Sequence, residues 1–503
     1  MLTELKAKAA EKIKGIVEAS ALDIVELFEL PKALEHGHLA LPVFFLAKTL
    51  RKAPPLIAKE LAEKIGQMDW SELDKADPVG GYINLHFHSE YLQKLLGDAV
   101  CKSGSQLGFG HLGHGQKAVV DYSSPNVAKQ MTIGHLRATV IGQAICNLAR
   151  SQGYEVIGLN HLGDWGTQFG KLAWAIENWG EEYPLDSEPM DSLTKLYVRF
   201  HAEAEKNPEI ENQGATYFKR LEEGDQKIKA LWRKIVDLSL KDYNRLWTLL
   251  GVKHDLVRGE SFYNDRLKPT EELLEKKGLL VQSQGAMVVE LGEGKPPCLI
   301  RKADGASLYA TRDLASAIYR MEELKADLNI YVVGQDQTLH FQQIFAVLKK
   351  MGFAWADRCY HIAFGMYRFK DIGRMSTRKG NVIHLEDVLT KSVTLAREII
   401  AEKNPKLINS EDVAKKVGVG AIIFNDLNND RVKNVDFDWE RVLSFEGDSG
   451  PYVQYCVVRC KSLIRKYGKK VPLQFSSVLD SDEERSLIKL LLQLDHVLAG
   501  AFK

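Results

Sequence analysis

Apolar residues recur along this chain with two different periods. In the first hundred residues Leu5, Ala9 and Ile13 follow one another at helical spacing, and the run GGYINLHF has the pattern of a short strand. Farther along, short apolar runs are separated by longer helical patterns, and these runs are KAVVDY, YEVIGLN, NIYVVG and YHIAFGMY. Strands that alternate with helices are typical of a parallel sheet. The pattern therefore predicts a multidomain α/β protein with a Rossmann-type, nucleotide-binding core.

The same pattern predicts boundaries between domains. Residues 1–106 are expected to form a small α+β domain, which a glycine-rich stretch separates from the core. The core extends over residues 107–388 and carries a charged, mostly helical insertion at about 180–260. A helical connecting segment is expected at 389–444, and an all-α domain is expected to begin within 445–503.

Composition and charge narrow the class of protein. The 503 residues include 67 basic and 67 acidic side chains, so any contact with nucleic acid would need local basic faces. The six cysteines contain no C-x-x-C pair, which argues against a zinc site. The first residues lack a signal-peptide core, and no apolar run approaches the ~20 residues of a membrane span. A cytoplasmic protein without a membrane segment is expected.

Two similar tetrads compete as a nucleotide site. HLGH at residues 111–114 leads into a strand, whereas TIGH at 132–135 lies between the strand KAVVDY and a helix. A helix N-terminus that follows a strand favours anions through its N–H groups and its dipole. Gly134 would let a flat purine ring approach the backbone. TIGH is therefore the candidate and HLGH the linker, although TIGH alone favours a plain helix start with a buried His135.

Several stretches resemble one family of enzymes. SSPNVAKQMTIGHLR and, about 240 residues later, GRMSTRKGN resemble the HIGH and KMSKS signatures of class I aminoacyl-tRNA synthetases. Four more resemble the arginyl-tRNA synthetase family, and these are GLNHLGDWGTQFGKL, LYATRDLA, YVVGQDQTLHFQQ and FEGDSGPYVQY. The resemblance implies an N-terminal domain that contacts tRNA, a Rossmann catalytic domain, and a C-terminal all-α anticodon-binding domain. Compared with the family pattern, the last of these is expected to be incomplete.

The resemblance implies an arginine–tRNA ligase. Such an enzyme activates L-arginine with ATP to arginyl-adenylate, and then transfers arginine to the 3′-terminal ribose of tRNA(Arg). The expected partners are L-arginine, ATP with Mg²⁺, and tRNA(Arg), with no protein-bound metal. The family also implies a monomer and an arginine activation that depends on bound tRNA. Positioning and charge stabilisation would supply most of the rate enhancement.

Both signatures are expected to contact the phosphates of ATP. The residues implied for catalysis are Lys129, Thr132, His135, Ser376 and Lys379. The residues implied for ATP binding are Thr132, Gly134, His135, Gly334, Asp336, Arg374, Met375 and Ser376.

Two threonines depart from the family pattern. Thr132 stands in place of the first histidine of HIGH, and its hydroxyl is a shorter, neutral donor. Losing an imidazole contact there would cost about 1–3 kcal/mol if nothing replaces it, so we expect weakened but real function. Thr377 stands in place of a catalytic lysine, and Lys129 is expected to substitute for that lysine at the α-phosphate.

The arginine pocket is expected to be acidic, because a guanidinium pairs best with carboxylates. The residues implied for it are Asp121, Ser124, Asn126, His161, Tyr309, Asp313 and Gln337. The two amides would face the backbone end of the amino acid, and the acids and Tyr309 its guanidinium. Asp121 is shorter than the glutamate that the family often has there. His161 is as compatible with plain packing, and His340 is as compatible with burial as with a place near the ribose.

Other interpretations stay open on the sequence alone. A basic stretch at 459–470 is either a tRNA contact or a solvated helix face. The chain as a whole could be a free-standing nucleotidyltransferase that adenylates a small carboxylate and ignores RNA. It could also be a non-catalytic paralogue that only binds, which the two threonines make conceivable.

Overall fold

The computed structural model of the protein describes residues 1–503 except 18–19, 32, 302–308, 369–382, 445, 470 and 472–476. Its α-helices are α1 (Leu2–Val17), α2 (Ala21–Leu27), α3 (Ala47–Leu50), α4 (Pro54–Gly66), α5 (Ser89–Ser103), α6 (Ile133–Ser151), α7 (Thr167–Trp179), α8 (Pro189–Lys206), α9 (Pro208–Glu222), α10 (Gln226–Leu249), α11 (Asn264–Lys276), α12 (Tyr309–Ile318), α13 (Thr338–Lys350), α14 (Leu385–Lys403), α15 (Ser410–Leu427), α16 (Trp439–Val442), α17 (Gly450–Tyr467), α18 (Asp482–Leu492) and α19 (Leu494–Phe502). In the part of the chain so described, no helix is both long and apolar enough to cross a membrane.

The β-strands are short and lie between these helices. They are β1 (Leu39–Pro42), β2 (Leu73–Val79), β3 (Tyr82–Phe87), β4 (Lys117–Asp121), β5 (Glu155–Asn160), β6 (Leu256–Val257), β7 (Leu280–Ser283), β8 (Ala286–Val289), β9 (Cys298–Arg301), β10 (Leu328–Gly334), β11 (Cys359–Phe364), β12 (Tyr367–Arg368) and β13 (Val435–Asp436).

A five-stranded parallel sheet carries the candidate site, with its strands in the order β11-β10-β4-β5-β6. Ala118, Val119 and Val120 of the central strand β4 are fully buried, as expected where helices cover both faces of a parallel sheet. The last residue of β4, Asp121, lies opposite Tyr331 of β10 and Leu159 of β5. The predicted α/β class with a Rossmann-type parallel sheet is confirmed.

The chain divides into two compact units. The larger comprises residues 115–147 and 155–465, and it contains the parallel sheet. The smaller comprises residues 1–114, 148–154 and 466–503. Within the smaller unit, the sheet β1-β3-β2 and helices α1 and α4 enclose an apolar core.

The end of the chain belongs to the smaller unit. The Lys489 amine donates to the carbonyl groups of Ala33 at 3.1 Å and Gly37 at 2.9 Å. Asp495 accepts from the amino group of Met1 at 2.8 Å. The division after residue 465 depends on contacts of such long range, which leave no periodic signal in the sequence, and the expected domain boundary at residue 445 stays a prediction. The assignment of this part to anticodon binding stays a prediction.

Candidate active site

The loop between β4 and α6, residues 122–132, has a strained backbone. Ser123, Ser124 and Ala128 have positive φ angles of 73°, 37° and 64°. Such conformations cost of order 1–3 kcal/mol each in residues with a side chain, and they persist only where the surroundings fix them. Strain of this kind clusters at functional sites, so the loop is a candidate on conformation as well as on sequence.

Helix α10 holds this loop in place. The Ala128 N–H donates to Ser239 Oγ at 3.0 Å, and Trp247 Nε1 donates to Ser123 Oγ at 2.9 Å. The Tyr243 hydroxyl lies 2.7 Å from the carbonyl oxygens on either side, those of Asn126 and Lys129. Burial raises the pKa of Tyr243, so its phenol stays a protonated donor. Helix α10 of the predicted insertion therefore fixes the conformation of this loop, a role that its charged sequence did not reveal.

TIGH opens helix α6, as its position in the sequence predicts. The helix begins at Ile133, and the Thr132 N–H donates to Nδ1 of His135 at 2.9 Å. That bond leaves the ring proton on Nε2, so the imidazole presents a single donor. Burial lowers the pKa of His135, which keeps the ring neutral. The competing tetrad HLGH lies in a turn, in which the His114 N–H donates to His111, and no helix begins there.

Few atoms of the described residues lie close to the face of the helix start. Among the described residues, a Cβ built on Gly134 would have one neighbour, Thr132 Oγ1 at 3.4 Å, which is an ordinary contact. Lys129 is exposed, although its carbonyl is fixed by Tyr243. The N–H groups of Thr132, Ile133 and His135 already have acceptors, so an anion or a flat ring at this face would meet the positive end of the helix dipole and the Nε2–H of His135.

The second signature lies outside the described residues, and this includes Arg374, Met375, Ser376, Thr377 and Lys379.

The residues just after this gap are bonded to the TIGH segment. The Ile133 N–H donates to the Ile383 carbonyl at 3.0 Å, and the Leu385 N–H donates to Met131 at 2.9 Å. These bonds place the start of α14 directly against the start of α6.

The carboxyl end of β10 provides a second candidate surface. Gly334 ends the strand opposite Phe364 of β11. A Cβ on Gly334 would come within 2.6 Å of Asp336 Oδ1, so only glycine lets this carboxylate fold back over the strand end. Asp336 and Gln337 are exposed, and the Gln337 amide donates to Asp336 Oδ2 at 3.3 Å.

Asp121 is paired inside the protein. Ser124 Oγ donates to its Oδ1 at 2.9 Å, and Nη2 of the fully buried Arg320 donates to its Oδ2 at 2.8 Å. His161 adjoins this group, because its Nδ1 lies 3.5 Å from Nη2 of Arg320, and its ring stacks on Tyr263 at 5.3 Å between centroids. Burial lowers the pKa of His161. Both carboxylate oxygens of Asp121 therefore have partners before any substrate arrives.

The remaining residues predicted to bind the substrate arginine lie outside this buried group. Asn126 is exposed, and its segment pairs with Gly163 through the Val127 N–H at 3.0 Å. Tyr309 starts α12 with 67% of its surface exposed. One turn later, Asp313 Oδ2 lies 2.6 Å from His340 Nε2. His340 thus has a carboxylate partner.

A cavity of about 970 Å³ opens beside Tyr309. Of the residues predicted to bind the substrate arginine, Tyr309 alone lines it. Glu260 also lines it, and its Oε2 lies 3.6 Å from Nη1 of Arg312, longer than a good hydrogen bond. Burial raises the pKa of Glu260 to about 7, against the opposing effect of Arg312. Nearby Asp164, in contrast, accepts from the N–H and hydroxyl groups of Ser261 at 2.8 and 2.7 Å.

Glu260 was missed by the sequence reasoning. The available signal was its position, because the segment RGESFY follows β6 at the carboxyl end of a parallel strand.

Comparisons with known proteins agree on one family. The family model described as tRNA synthetases class I (R), catalytic domain, matches residues 99–439, and that of the arginyl tRNA synthetase N terminal domain matches 3–87. The chain is 49% identical to the arginine–tRNA ligase of Exiguobacterium sibiricum over 481 residues, 95% of this chain and 85% of the relative. It is 48% identical to that of Clostridium perfringens over 464 residues, 92% of this chain and 81% of the relative.

Solved structures match as well. The arginyl-tRNA synthetase of Thermus thermophilus superposes with a TM-score of 0.79 at 26% identity, covering 94% of this chain and 84% of that one. The enzyme of Plasmodium falciparum gives 0.76 at 23% identity, covering 98% and 87%, which is a likeness of fold.

Proposed function

Since the chain belongs to the arginyl-tRNA synthetase family, we propose that its arginine–tRNA ligase reaction takes place at the carboxyl edge of the parallel sheet. The enzyme joins arginine to tRNA(Arg) at the expense of ATP. The observation that carries the location is the open N-terminus of α6, with a neutral His135 and an exposed Lys129 beside it. A cytoplasmic monomer without a bound metal, and activation that requires tRNA, stay predictions.

The phosphates of ATP lie at the start of α6 in this proposal. The Nε2–H of His135 donates to a phosphate oxygen, and the N–H groups of the first helical turn add their dipole. Lys129 places its charge at the α-phosphate, where negative charge develops as the arginine carboxylate attacks and diphosphate leaves. The adenine lies against Gly134, and Asp336 accepts from the ribose hydroxyls. Mg²⁺ enters with ATP, and the second signature is assigned to the diphosphate side.

The arginine substrate lies between the strand ends and the cavity. Tyr309 and Glu260 line the cavity, and Asp313 stands one turn from Tyr309. We assign the guanidinium chiefly to Glu260, because among the described residues this largely buried carboxylate has no cation closer than 3.6 Å, and a bound cation would compensate its charge.

The other predicted residues surround this position. Asn126 and Gln337, both exposed, are assigned to the α-amino and carboxylate end. Asp121, Ser124 and His161 support the pocket from beneath through Arg320, since their polar groups are already paired.

The tRNA is assigned to basic surfaces away from the sheet edge. The exposed basic residues of the stretch at α17 are Arg459, Lys461, Arg465, Lys466 and Lys469. Phosphate contacts of this kind would make tRNA affinity fall with salt.

Single-turnover transfer of arginine to tRNA tests the site. His135→Ala and Lys129→Ala each remove one charge-assisted hydrogen bond, which predicts a rate about 10- to 100-fold lower. Lys268→Ala is the matched control, because Lys268 is an 87% exposed lysine on α11. Equal rates in wild type and both site variants would refute the assignment. A wild type that transfers no arginine would instead favour the non-catalytic alternative.

A further inference from the structure

A buried ionic cluster lies directly behind the TIGH segment. Arg137 is two residues after His135 and only 1% exposed. Its Nε donates to Asp426 Oδ1 at 3.2 Å, and the hydroxyl of Tyr367 donates to Asp426 Oδ2 at 2.7 Å. These side chains come from α6, α15 and β12, so one carboxylate joins three distant segments of the larger unit. We call Arg137, Asp426 and Tyr367 the ionic node.

The node also fixes the backbone beyond β11. Nη1 of Arg137 donates to the carbonyl groups of Gly365 at 2.7 Å and Lys433 at 3.0 Å. Gly365 directly follows β11, whose last residue pairs with Gly334 at the end of β10. A side chain at Gly365 would clash with the backbone of Lys433, so the two segments meet as closely as they can. Arg137 therefore bonds the start of α6 to the strand ends assigned to adenosine.

Helix α15, which carries Asp426, packs with α14, and the start of α14 is bonded to the TIGH segment. The start of α14 bonds to Met131 and Ile133 through the backbone, as described above. Helices α14 and α15 are themselves locked, because Ser392 Oγ donates to the Gly418 carbonyl at 2.8 Å in a buried contact. The hairpin α14–α15 thus contacts the phosphate site before the first turn of α6 and again within it.

Stability alone does not explain the node. Burying an ion pair costs desolvation, and apolar residues of similar volume often serve as well or better. Burial raises the pKa of Asp426 even with Arg137 beside it. Arg137 Nη2 is buried and has no partner within the described residues. The node does fix the relative positions of the segments it joins, because a guanidinium with hydrogen bonds to three groups permits one geometry.

We infer that Arg137 and Asp426 are positioning residues for the activation step. They set the position of the α6 N-terminus, and of His135 with it, against the strand ends that hold adenosine. Through α15 they also tie that position to the α14–α15 hairpin. The inference rests on the proposed placement of ATP, and it concerns geometry rather than contact with substrate.

The test measures exchange of diphosphate into ATP with tRNA present, at varied ATP and varied arginine. Asp426→Asn keeps the volume and removes the charge, Arg137→Lys keeps the charge and removes the fork, and Tyr367→Phe removes one hydrogen bond. A displacement of the order of 1 Å costs about 100-fold in rate. We therefore expect kcat to fall about 10- to 100-fold in the first two variants and about 3- to 10-fold in Tyr367→Phe. The KM for ATP should rise while that for arginine stays within about twofold.

The matched control is another ion pair on the same hairpin. Glu411 of α15 accepts from Arg397 of α14 at 2.6 and 2.7 Å on the exposed surface. Glu411→Gln should leave both KM values and kcat unchanged. Equal changes in the two KM values, or unchanged kinetics with a lower unfolding temperature, would show a purely structural node and overturn the inference. Should Arg137→Lys not fold, the milder Tyr367→Phe decides by the same criteria.

His135→Ala separates this inference from the proposed function. Exchange lost in His135→Ala but kept in Arg137→Lys and Asp426→Asn overturns the inference and leaves the site assignment standing. Exchange kept in all three variants overturns both.

Discussion

The two halves of the site treat their charged groups in different ways. The phosphate half, which comprises Lys129, Thr132, Gly134 and His135, presents donors on an open helix start. The arginine half comprises Tyr309 and three carboxylates, Asp121, Glu260 and Asp313, most of which have internal partners. Asp121 is bonded to Arg320, and Asp313 to His340. Glu260 alone of these carboxylates is separated from its cation by 3.6 Å.

This difference indicates where each half obtains its specificity. A helix N-terminus attracts phosphate through its dipole, so the phosphate half needs few special side chains. A pocket for a guanidinium needs buried negative charge, and that charge must be compensated when the substrate is absent. At Asp121 the charge of Arg320 compensates the carboxylate permanently. At Glu260, whose pKa is raised to about 7, uptake of a proton removes the negative charge reversibly. On the proposed placement of arginine, selection for a cationic side chain therefore falls mainly on Glu260.

Removing Arg320 should break the arginine half most severely. Arg320→Met leaves the carboxylate of Asp121 buried without a cation, and such losses cost about 3–5 kcal/mol of stability. We expect a correspondingly lower midpoint of thermal unfolding. The double variant Arg320→Met with Asp121→Asn should recover most of this loss, because no unpaired charge remains.

The exposed ion pair of Lys349 with Asp357, at 2.8 Å, provides the control for that experiment. Lys349→Met should change stability by less than about 1 kcal/mol, as is usual for surface pairs. If Arg320→Met behaved like this control, Asp121 would not depend on Arg320, and a direct role in substrate binding would regain support.

Glu260→Gln should separate the two halves by substrate. Loss of a charge-assisted interaction with the guanidinium is worth about 1.5–3 kcal/mol, or about 10- to 150-fold in kcat/KM for arginine. The KM for ATP should stay the same, because the phosphate half is untouched. Steady-state aminoacylation at varied arginine and varied ATP measures both. An unchanged KM for arginine would remove Glu260 from the pocket.

The pH dependence should sharpen the same contrast. The pKa of Glu260 is raised to about 7, so the carboxylate that binds arginine is lost as pH falls through 7. Between pH 8 and pH 6 the KM for arginine should rise about 10-fold in wild type, and it should stay flat in Glu260→Gln.

Stability without arginine should follow the opposite sign. A carboxyl group whose pKa is higher in the folded state than in the unfolded chain loses stability as pH rises from about 4.5 to about 7. The unfolding temperature of wild type should therefore fall relative to Glu260→Gln over this range. Parallel curves for the two proteins would show that Glu260 does not titrate there.

Local features of the site were predictable from the sequence, and paired features were not. KAVVDY predicts β4, and the strand-to-helix position of TIGH predicts the helix start that the structure has at Ile133. Both signals are encoded within about 20 residues, by apolar periodicity and by a glycine. The ion pair of Asp121 with Arg320 joins residues 199 apart, and no local pattern records it. The family resemblance implies a place for Asp121 at the substrate, which stays a prediction, and its internal partner Arg320 became visible only in the structure.

Local sequence patterns also do not show to which compact unit a helix belongs. Residues 466–503 have ordinary amphipathic helical patterns, which predict helices but not the unit to which they belong. That choice depends on contacts such as Lys489 with Ala33 and Gly37, more than 450 residues away in the chain. The Glu260 segment was missed because β6 has only two residues, too few to show a strand period.

Thr132 should give the smallest effect and the finest test of the phosphate half. Its hydroxyl lies 3.1 Å from Nδ1 of His135, whose ring is already fixed by the Thr132 N–H. Thr132→Val keeps the shape and that backbone bond and removes only the hydroxyl, a loss of about 1 kcal/mol, or about fivefold in kcat for activation. Thr132→Ser should stay near wild type, and the KM for arginine should not move in either variant. If Thr132→Val equals wild type, the hydroxyl makes no contact in the transition state, and His135 with the helix start supplies the phosphate contacts of this segment without it.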